Sequence, residues 1–196
     1  MTESPAPVAP CLARTPHWAI IAAIPLAGVL ILHLMGRPYW CACGQLGLWI
    51  GDTLSAHNSQ HLFDPYSFTH ILHGFAFCAL FSWLQPATPW QWRWSLVLLF
   101  ESLWEILENS PLIISRYRSA TAAFGYLGDT IANSCGDLLC CSLGFFIARA
   151  LGFHRALAVF IATELILLWW MRDNLTLNLV MLIYPIESLK AWQLGL

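Results

Sequence analysis

Charged residues are scarce in this sequence: 10% of its 196 residues are Asp, Glu, Lys or Arg, whereas 58% are hydrophobic. A soluble domain has about 25% charged and about 45–50% apolar residues. The composition departs from that average in both directions, and it favours a membrane protein with several spans. The sequence also has no Lys/Arg-rich patch, and its formal net charge is -2. Both observations argue against binding to nucleic acid.

Several common signatures are missing as well. Residues 1–16, rich in Pro and Ala, lack the basic start of a secretory signal, and no cleavage site follows the first apolar run. We expect a disordered tail there, followed by an apolar run that remains as an anchor. The seven Cys are odd in number and lie mostly in apolar segments, which argues against a disulfide framework. Neither His-Glu-x-x-His nor paired Cys-x-x-Cys occurs, so no metal-ligand signature is complete.

Six apolar stretches follow the tail, and a membrane helix needs about 20 such residues. We predict spans over residues 18–36, 68–84, 90–107, 130–151 and 156–171. The sixth stretch, 175–186, is short and contains Pro185, so it is either a span or an interfacial helix. The predicted fold is an all-α polytopic membrane bundle of five to six transmembrane helices, a single domain over residues 17–196.

Residues 37–67 separate the first two spans and are too long for a tight turn and too aromatic for a solvated linker. We predict an interfacial loop folded against the membrane surface. Placing the N-terminus in the cytoplasm puts five of the nine basic residues on that side and four outside. This small excess favours an outward-facing loop.

Polar side chains recur at helical spacing in three consecutive spans. They are His70 and His73, then Glu101, Glu105 and Glu108, then Asp129, Asn133 and Asp137. Residues three or four apart lie on one helix face. Consecutive spans are antiparallel, so the start of the second, the end of the third and the start of the fourth share one side. We predict one polar site there. His57 and His61 of the preceding loop lie on the same side, and the sequence leaves open whether they reach the site.

Imidazoles and carboxylates together favour a divalent metal, which would activate water or polarise a phosphoryl group. Arg side chains match phosphate geometry. The candidate residues are His70, His73 and Asp137 as metal ligands, Glu105, Glu101 and Asp129 as catalytic groups, and Arg116, Arg118 and Asn133 for substrate binding. The alternative is structural, with buried Glu residues paired to Arg and His residues bonded to backbone carbonyls.

Two further polar features carry less weight. Cys41 and Cys43 form a thiol pair of unusual spacing, and single loop thiols are common. Glu164, in the middle of the fifth span, either faces the same cavity or bonds to a neighbouring helix.

Several motifs closely resemble an uncharacterised family of small bacterial inner-membrane proteins. They are His57-Asn58-Ser59-Gln60-His61, Ser67-Phe68-Thr69-His70-Ile71-Leu72-His73-Gly74, Trp104-Glu105-Ile106-Leu107-Glu108-Asn109-Ser110, Arg116-Tyr117-Arg118, Gly128-Asp129-Thr130 and Asn133-Ser134. The resemblance covers about residues 35–152 and implies a multi-pass plasma-membrane protein without an assigned activity.

The order Glu, Arg, then Asp129-x-x-x-Asn133-x-x-Gly136 is also distantly similar to VanZ-like membrane proteins. That similarity implies a role in the cell envelope. This sequence differs by its extra Glu residues, its His-x-x-His pair and a second Asp at position 137.

These observations favour a membrane-embedded enzyme that acts on a lipid or lipid-linked phosphate at the outer leaflet. The alternatives are a non-enzymatic binder or transporter of an ion, a proton or a lipid headgroup, and a structural subunit of an envelope complex. The far halves of the polar spans are almost purely apolar, which argues against a path across the membrane. Membrane lipids are the expected partners, and the sequence leaves the oligomeric state open.

Overall fold

The computed structural model describes residues 17–121 and 125–196, and these ranges contain eight helices. They are α1 (His17–Leu34), α2 (Ser67–Leu84), α3 (Trp90–Glu108), α4 (Pro111–Ala120), α5 (Ile131–Leu151), α6 (Phe153–Met171), α7 (Leu175–Ile183) and α8 (Glu187–Gln193). Extended pairing within these ranges is limited to one bridge between Trp49 and Phe63. The prediction of an all-helical bundle is confirmed, whereas the predicted tail, residues 1–16, lies outside the described residues.

Three helices, α2, α5 and α6, are long and apolar enough to cross a membrane, and α1 is a shorter apolar helix. α3 has 19 residues but carries Arg93, Glu101, Glu105 and Glu108. The distribution of apolar and charged side chains is the reverse of that in a soluble protein. Trp169 on α6 is 86% exposed, whereas Glu101 is fully buried. An apolar exterior around a polar interior suggests a membrane protein.

The most extensive helix packing joins α2 to α5, and glycines permit it. A Cβ atom added to Gly74 would overlap the carbonyl oxygen of Cys141. A Cβ atom added to Gly144 would overlap the carbonyl oxygen of Ile71. Small residues let helix backbones approach closely. This crossing therefore fixes the polar starts of α2 and α5 relative to each other.

An apolar core lies beyond the crossing, towards the far end of α2. Phe75, Phe81, Val97 and Phe145 are its larger buried members. Arg149 lies at the far end of α5, with its guanidinium 5.1 Å from the Trp90 ring centre. The polar side chains of the bundle are thus concentrated at one end.

The undecided segment 175–186 forms only a short helix. α7 ends at Ile183 after nine residues, which is about 14 Å of helix. The hydrocarbon core of a bilayer is about 30 Å thick, so α7 by itself cannot span it. Glu164 accepts hydrogen bonds from the N–H groups of Leu175 (2.9 Å) and Thr176 (3.1 Å). Of the two roles predicted for Glu164, bonding to a neighbouring helix is the one observed.

Residues 35–66 connect α1 to α2, and their backbone is bound to the start of α5. Thr130, Ile131 and Ala132 donate their N–H groups to the carbonyls of Ser59, Pro38 and Tyr39, respectively. The first N–H groups of a helix have no partner within the helix. Gly136, one turn later, leaves room for the carbonyl of Leu62. The loop therefore covers the same end of the bundle as the polar side chains.

Candidate functional site

The polar ends of α2, α3 and α5 line one cleft of about 340 Å³. Its lining includes His70, His73, Glu108, Asn133 and Asp137. The polar stripes of the three helices therefore face one another. Each stripe lies on one helix face, because its residues are three or four apart, and the opposite, apolar faces of the helices point outwards. Glu101 and Glu105 lie just behind this lining and are 0% and 1% exposed.

Glu101 joins the two imidazoles of the cleft. Its Oε1 lies 2.6 Å from His70 Nδ1, and its Oε2 lies 3.0 Å from His73 Nδ1. An ionised carboxylate only accepts hydrogen bonds, so each Nδ1 donates and each Nε2 is left for a proton or a metal. His70 Nε2 lies 3.8 Å from Asp137 Oδ2. Glu101 thus orients both rings towards the cleft.

Glu105 has a different environment, although it lies only one turn from Glu101. Both of its carboxylate oxygens are buried without a hydrogen-bond partner among the described residues. His70 Nδ1 lies 3.5 Å from Oε1. The Oε2 atom of Glu108 is also buried without such a partner. A buried negative charge is costly without a compensating positive charge. The Glu105 carboxyl group is therefore expected either to be protonated or to bind a cation.

Two overlapping groups place possible metal ligands together. His70 combines with His73 and Glu101 in one group, and with Glu105 and Glu108 in the other. Within each group, one ligand atom per residue lies within 4.8 Å of the others. His70, which is common to both, is therefore the central residue of the cleft.

Asn133 and Asp137 reach the cleft from α5. The N–H of Asn133 bonds to the side chain of Thr130, the N-cap of α5, at 3.1 Å. The side-chain Nδ2 of Asn133 is buried without a hydrogen-bond partner within the described chain. Asp137 Oδ1 accepts a hydrogen bond of 3.3 Å from Ser67. Asn133 therefore offers a free donor beside the carboxylates.

Asp129 lines the cleft, but its side chain is held by neighbours. Its oxygens accept hydrogen bonds from Tyr126 Oη and Asn109 Nδ2, each 2.9 Å long. Its backbone N–H bonds back to Asn109 Oδ1 at 2.7 Å. Burial raises the pKa of Asp129, against the lowering effect of the bond from Tyr126. These contacts fix the chain just before α5.

Arg116 and Arg118 lie elsewhere. Arg116 donates from Nε to the carbonyl of Leu182 (2.7 Å) and from Nη2 to that of Ile183 (2.9 Å), at the end of α7. Arg118 Nε donates to the carbonyl of Tyr126 at 2.5 Å. Neither side chain belongs to the described lining of the cleft. The structure does not bring these two guanidinium groups together with the imidazoles.

Three charged residues that were not predicted as site residues also line the cleft: Arg172 and Asp173 after α6, and Asp64 before α2. Arg172 lines the cleft and ends α6 in the left-handed region at φ 55°. Asp173 accepts a hydrogen bond of 3.1 Å from the Tyr66 hydroxyl, and burial raises its pKa to about 6. Asp64 also lines the cleft and accepts the N–H of Ser59 at 2.9 Å. The antiparallel argument would have found Arg172 and Asp173, because the end of α6 lies on the same side as the start of α5.

His57 and His61 do not join the cleft. Neither belongs to its described lining, and both lie beside the thiols of Cys41 and Cys43. The question that the sequence left open for these two histidines is thus answered by their grouping with the thiols and their absence from the described lining.

The chain is similar along most of its length to proteins of several bacteria. It is 46% identical over 178 residues to the UPF0314 protein of Sphingopyxis alaskensis, covering 91% of this chain and 95% of that one. A UPF0314 protein of Rhizobium meliloti is 47% identical, covering 85% of each chain. The UPF0314 protein of Paracoccus denitrificans is 40% identical, covering 92% of this chain and 93% of that one. No solved structure matches the chain.

The family comparison agrees with these relatives. A family described as "Protein of unknown function (DUF2585)" matches residues 32–195, a range that contains the cleft and the loop above it. These findings confirm the resemblance to an uncharacterised family, and they do not confirm the distant similarity to VanZ-like proteins. The chain belongs to the DUF2585 family.

Proposed function

We propose that this chain is a multi-pass protein of the bacterial inner membrane whose cleft holds a divalent metal ion and hydrolyses a lipid or lipid-linked phosphate. The observation that carries the proposal is Glu105. Its two oxygens are buried beside His70 without a hydrogen-bond partner within the described ranges. A cation at this position would compensate a charge that is otherwise costly.

Charge balance supports a divalent ion. Two imidazoles and the guanidinium of Arg172 meet seven carboxyl groups at this end of the bundle, those of Asp64, Glu101, Glu105, Glu108, Asp129, Asp137 and Asp173. Two protonated imidazoles and the guanidinium would offset only three negative charges. A divalent ion offsets two more, in a place where low dielectric makes each uncompensated charge expensive.

The proposed roles follow from the contacts. His70, Glu105 and Glu108 hold the metal, and His73 and Asp137 complete its surroundings. Glu101 is a positioning residue, because it orients both imidazoles through their Nδ1 atoms. A divalent metal held by these residues would supply activation of water for the hydrolysis. In that reaction the water oxygen becomes bonded to phosphorus, the bond from phosphorus to the leaving oxygen breaks, and a proton from the water is taken up by the leaving oxygen.

A lipid substrate fits the walls of the cleft. Trp104 and Trp170 contribute apolar surface to its lining, and the exposed faces of the bundle are apolar. An acyl or prenyl chain could therefore stay in the bilayer while its phosphate enters. Arg172, the lining residue with a guanidinium group, is the proposed headgroup contact. Arg172 also donates from Nη1 to the carbonyl of Trp192 at 3.1 Å. Arg116 and Arg118, predicted for this role from the sequence, lie outside the described lining.

The test is phosphate release by detergent-purified protein loaded with zinc, manganese or iron, on a panel of short-chain phosphatidate and prenyl diphosphates. Glu105→Gln should lower turnover by about a hundredfold or more, since it removes a proposed metal ligand. Glu187→Gln, on exposed α8, is the matched control and should retain wild-type turnover. Metal content is measured by mass spectrometry on the same samples.

Two results would contradict the proposal. Equal metal content in wild type and Glu105→Gln would exclude a metal at this carboxylate. Metal bound without phosphate release from any substrate would reject the enzyme and favour a non-enzymatic ion or headgroup binder. Circular dichroism and elution volume establish that Glu105→Gln keeps the fold.

A further inference from the structure

A second group of ligand-type side chains lies in the loop above the cleft. Cys41, Cys43, His57 and His61 each offer one atom, and the four atoms lie within 4.8 Å of one another. The loop brings them from two segments, Cys-x-Cys near its start and His-x-x-x-His after 13 intervening residues. None of the four belongs to the described lining of the cleft. This group is therefore separate from the site at His70.

The distances match the edges of a small coordination shell. Cys41 Sγ lies 3.2 Å from His57 Nδ1, and Cys43 Sγ lies 3.6 Å from His61 Nε2. In a tetrahedral zinc site, Zn–S and Zn–N bond lengths place a sulfur and a nitrogen ligand roughly 3.5 Å apart. The two thiol–imidazole pairs thus have nearly the separations that zinc would impose.

The surroundings of His61 present the correct nitrogen. Its Nδ1 lies 2.7 Å from the carbonyl oxygen of Gly47. A carbonyl only accepts, so Nδ1 carries the proton and the lone pair of Nε2 faces Cys43. A second-shell bond of this kind commonly fixes the tautomer of a metal-binding histidine. The edge of the Trp40 ring packs against the imidazole, with centroids 5.5 Å apart.

The turn that carries the two thiols is shaped for a ligand as well. The N–H of Cys43 donates to Cys41 Sγ at 3.4 Å. The N–H of Gly44 bonds to the carbonyl of Cys41 at 3.1 Å, and Gly44 adopts φ 69°, a conformation that glycine tolerates. Trp40 Nε1 closes the turn by donating to Gln45 at 2.8 Å.

We propose that Cys41, Cys43, His57 and His61 bind a structural zinc ion that holds the loop onto the bundle. Two thiolates and two imidazoles form a closed four-ligand set, the kind found at structural sites. The loop of residues 35–66 has little regular structure of its own, and a bound ion would contribute folding free energy to it. A disulfide between the thiols would leave both imidazoles without a role.

The position of the site links it to the cleft below. The carbonyls of Pro38 and Tyr39, just before the thiol turn, and of Ser59, between the two histidines, accept N–H groups at the start of α5. This helix carries Asn133 and Asp137. The zinc proposal does not depend on the proposed chemistry of the cleft, since the two ligand sets share no residue.

The first test is zinc content of the full-length protein in detergent, in a Glu105→Gln/Glu108→Gln background that removes the proposed cleft ligands. We expect about one zinc per chain in that background and its loss on adding Cys41→Ser or His61→Ala. Cys135→Ser and His154→Ala, which replace the same residue types elsewhere, should retain the zinc. Cobalt loaded in place of zinc should give a thiolate-to-cobalt charge-transfer band that disappears with Cys41→Ser.

A second test uses the wild-type protein, so its result does not depend on whether a variant folds. Zinc should slow alkylation of Cys43 about tenfold or more, because a metal-bound thiolate is a poor nucleophile, and a chelator should restore the rate. The alkylation rate of Cys135 should be the same with zinc bound and after chelation. A zinc-independent rate at Cys43, a Cys41–Cys43 disulfide in the purified protein, or zinc retained in Cys41→Ser and His61→Ala would each overturn the proposal.

Discussion

Glu101 and Glu105 lie on one face of α3, yet they differ in what surrounds them. Glu101 accepts hydrogen bonds from two imidazoles, whereas Glu105 has no hydrogen-bond partner among the described residues. The cost of burying a carboxylate depends on its partners more than on its depth. The two residues therefore differ in expected role, Glu101 as a support for the histidines and Glu105 as the group that calls for a cation.

Asp173 should make the stability of the protein depend on pH. Burial raises its pKa from 3.8 to about 6, opposed by hydrogen bonds that include the one from Tyr66. The folded state thus binds the proton more tightly than the unfolded state, and stability falls as pH rises from about 4 to 6. We expect wild type to lose about 1–2 kcal/mol between pH 5 and pH 8 through this group.

Asp173→Asn should remove that loss. The melting temperature of Asp173→Asn minus that of wild type should increase by about 3–6 °C from pH 5 to pH 8. Both melting temperatures are measured by tryptophan fluorescence in detergent. Asp52→Asn, an exposed loop position, is the control and should follow wild type. Parallel curves for Asp173→Asn and wild type would contradict the assignment.

The crossing of α2 and α5 decides the geometry of the site at the level of elements. Gly74 and Gly144 lie where each helix meets the other's backbone, so neither position has room for a Cβ atom. The histidines of α2 and the Asn133–Asp137 stripe of α5 depend on this close approach. Apolar pattern alone predicts the helices but not how closely they pack.

Gly74→Ala should separate the two helices, because the new methyl group meets backbone and not a movable side chain. We expect a loss of about 1–3 kcal/mol or more, seen as a lower melting temperature and less folded protein. Gly28→Ala is the matched control in α1, where a Cβ would meet Ser102 at 3.4 Å, an ordinary contact. That variant should be neutral or slightly more stable, since Ala favours helix. Equal effects of the two substitutions would contradict the role of the crossing.

The whole molecule has one polar end, formed by the loop of residues 35–66, the cleft and the segments that follow α3 and α6. With the N-terminus in the cytoplasm, this end faces outwards. In intact spheroplasts, a membrane-impermeant thiol reagent should then label Ala56→Cys, in the loop, above the parent level. Ala87→Cys, in the turn between α2 and α3, should react only after permeabilisation. The reverse pattern would place the cleft and the loop in the cytoplasm.

The sequence by itself determined the helical class, the apolar exterior and the end of the bundle at which polar side chains collect. These follow from hydropathy, from helical period and from the antiparallel order of neighbouring helices, all of which are local or nearly local properties. Helical period and antiparallel order also located the stripes that carry His70, Glu108 and Asp137, three residues that line one cleft.

Only the tertiary structure decided which polar groups are partners. It placed Arg116 against the end of α7, paired Glu101 with two histidines, and turned His57 and His61 towards Cys41 and Cys43. Such pairings join residues that are 16 to 67 positions apart, and they depend on loop paths and helix crossings. The helical period of the sequence determines on which face of its helix a side chain lies. Its partner is determined by how helices and loops pack together, and the local sequence pattern does not specify that packing.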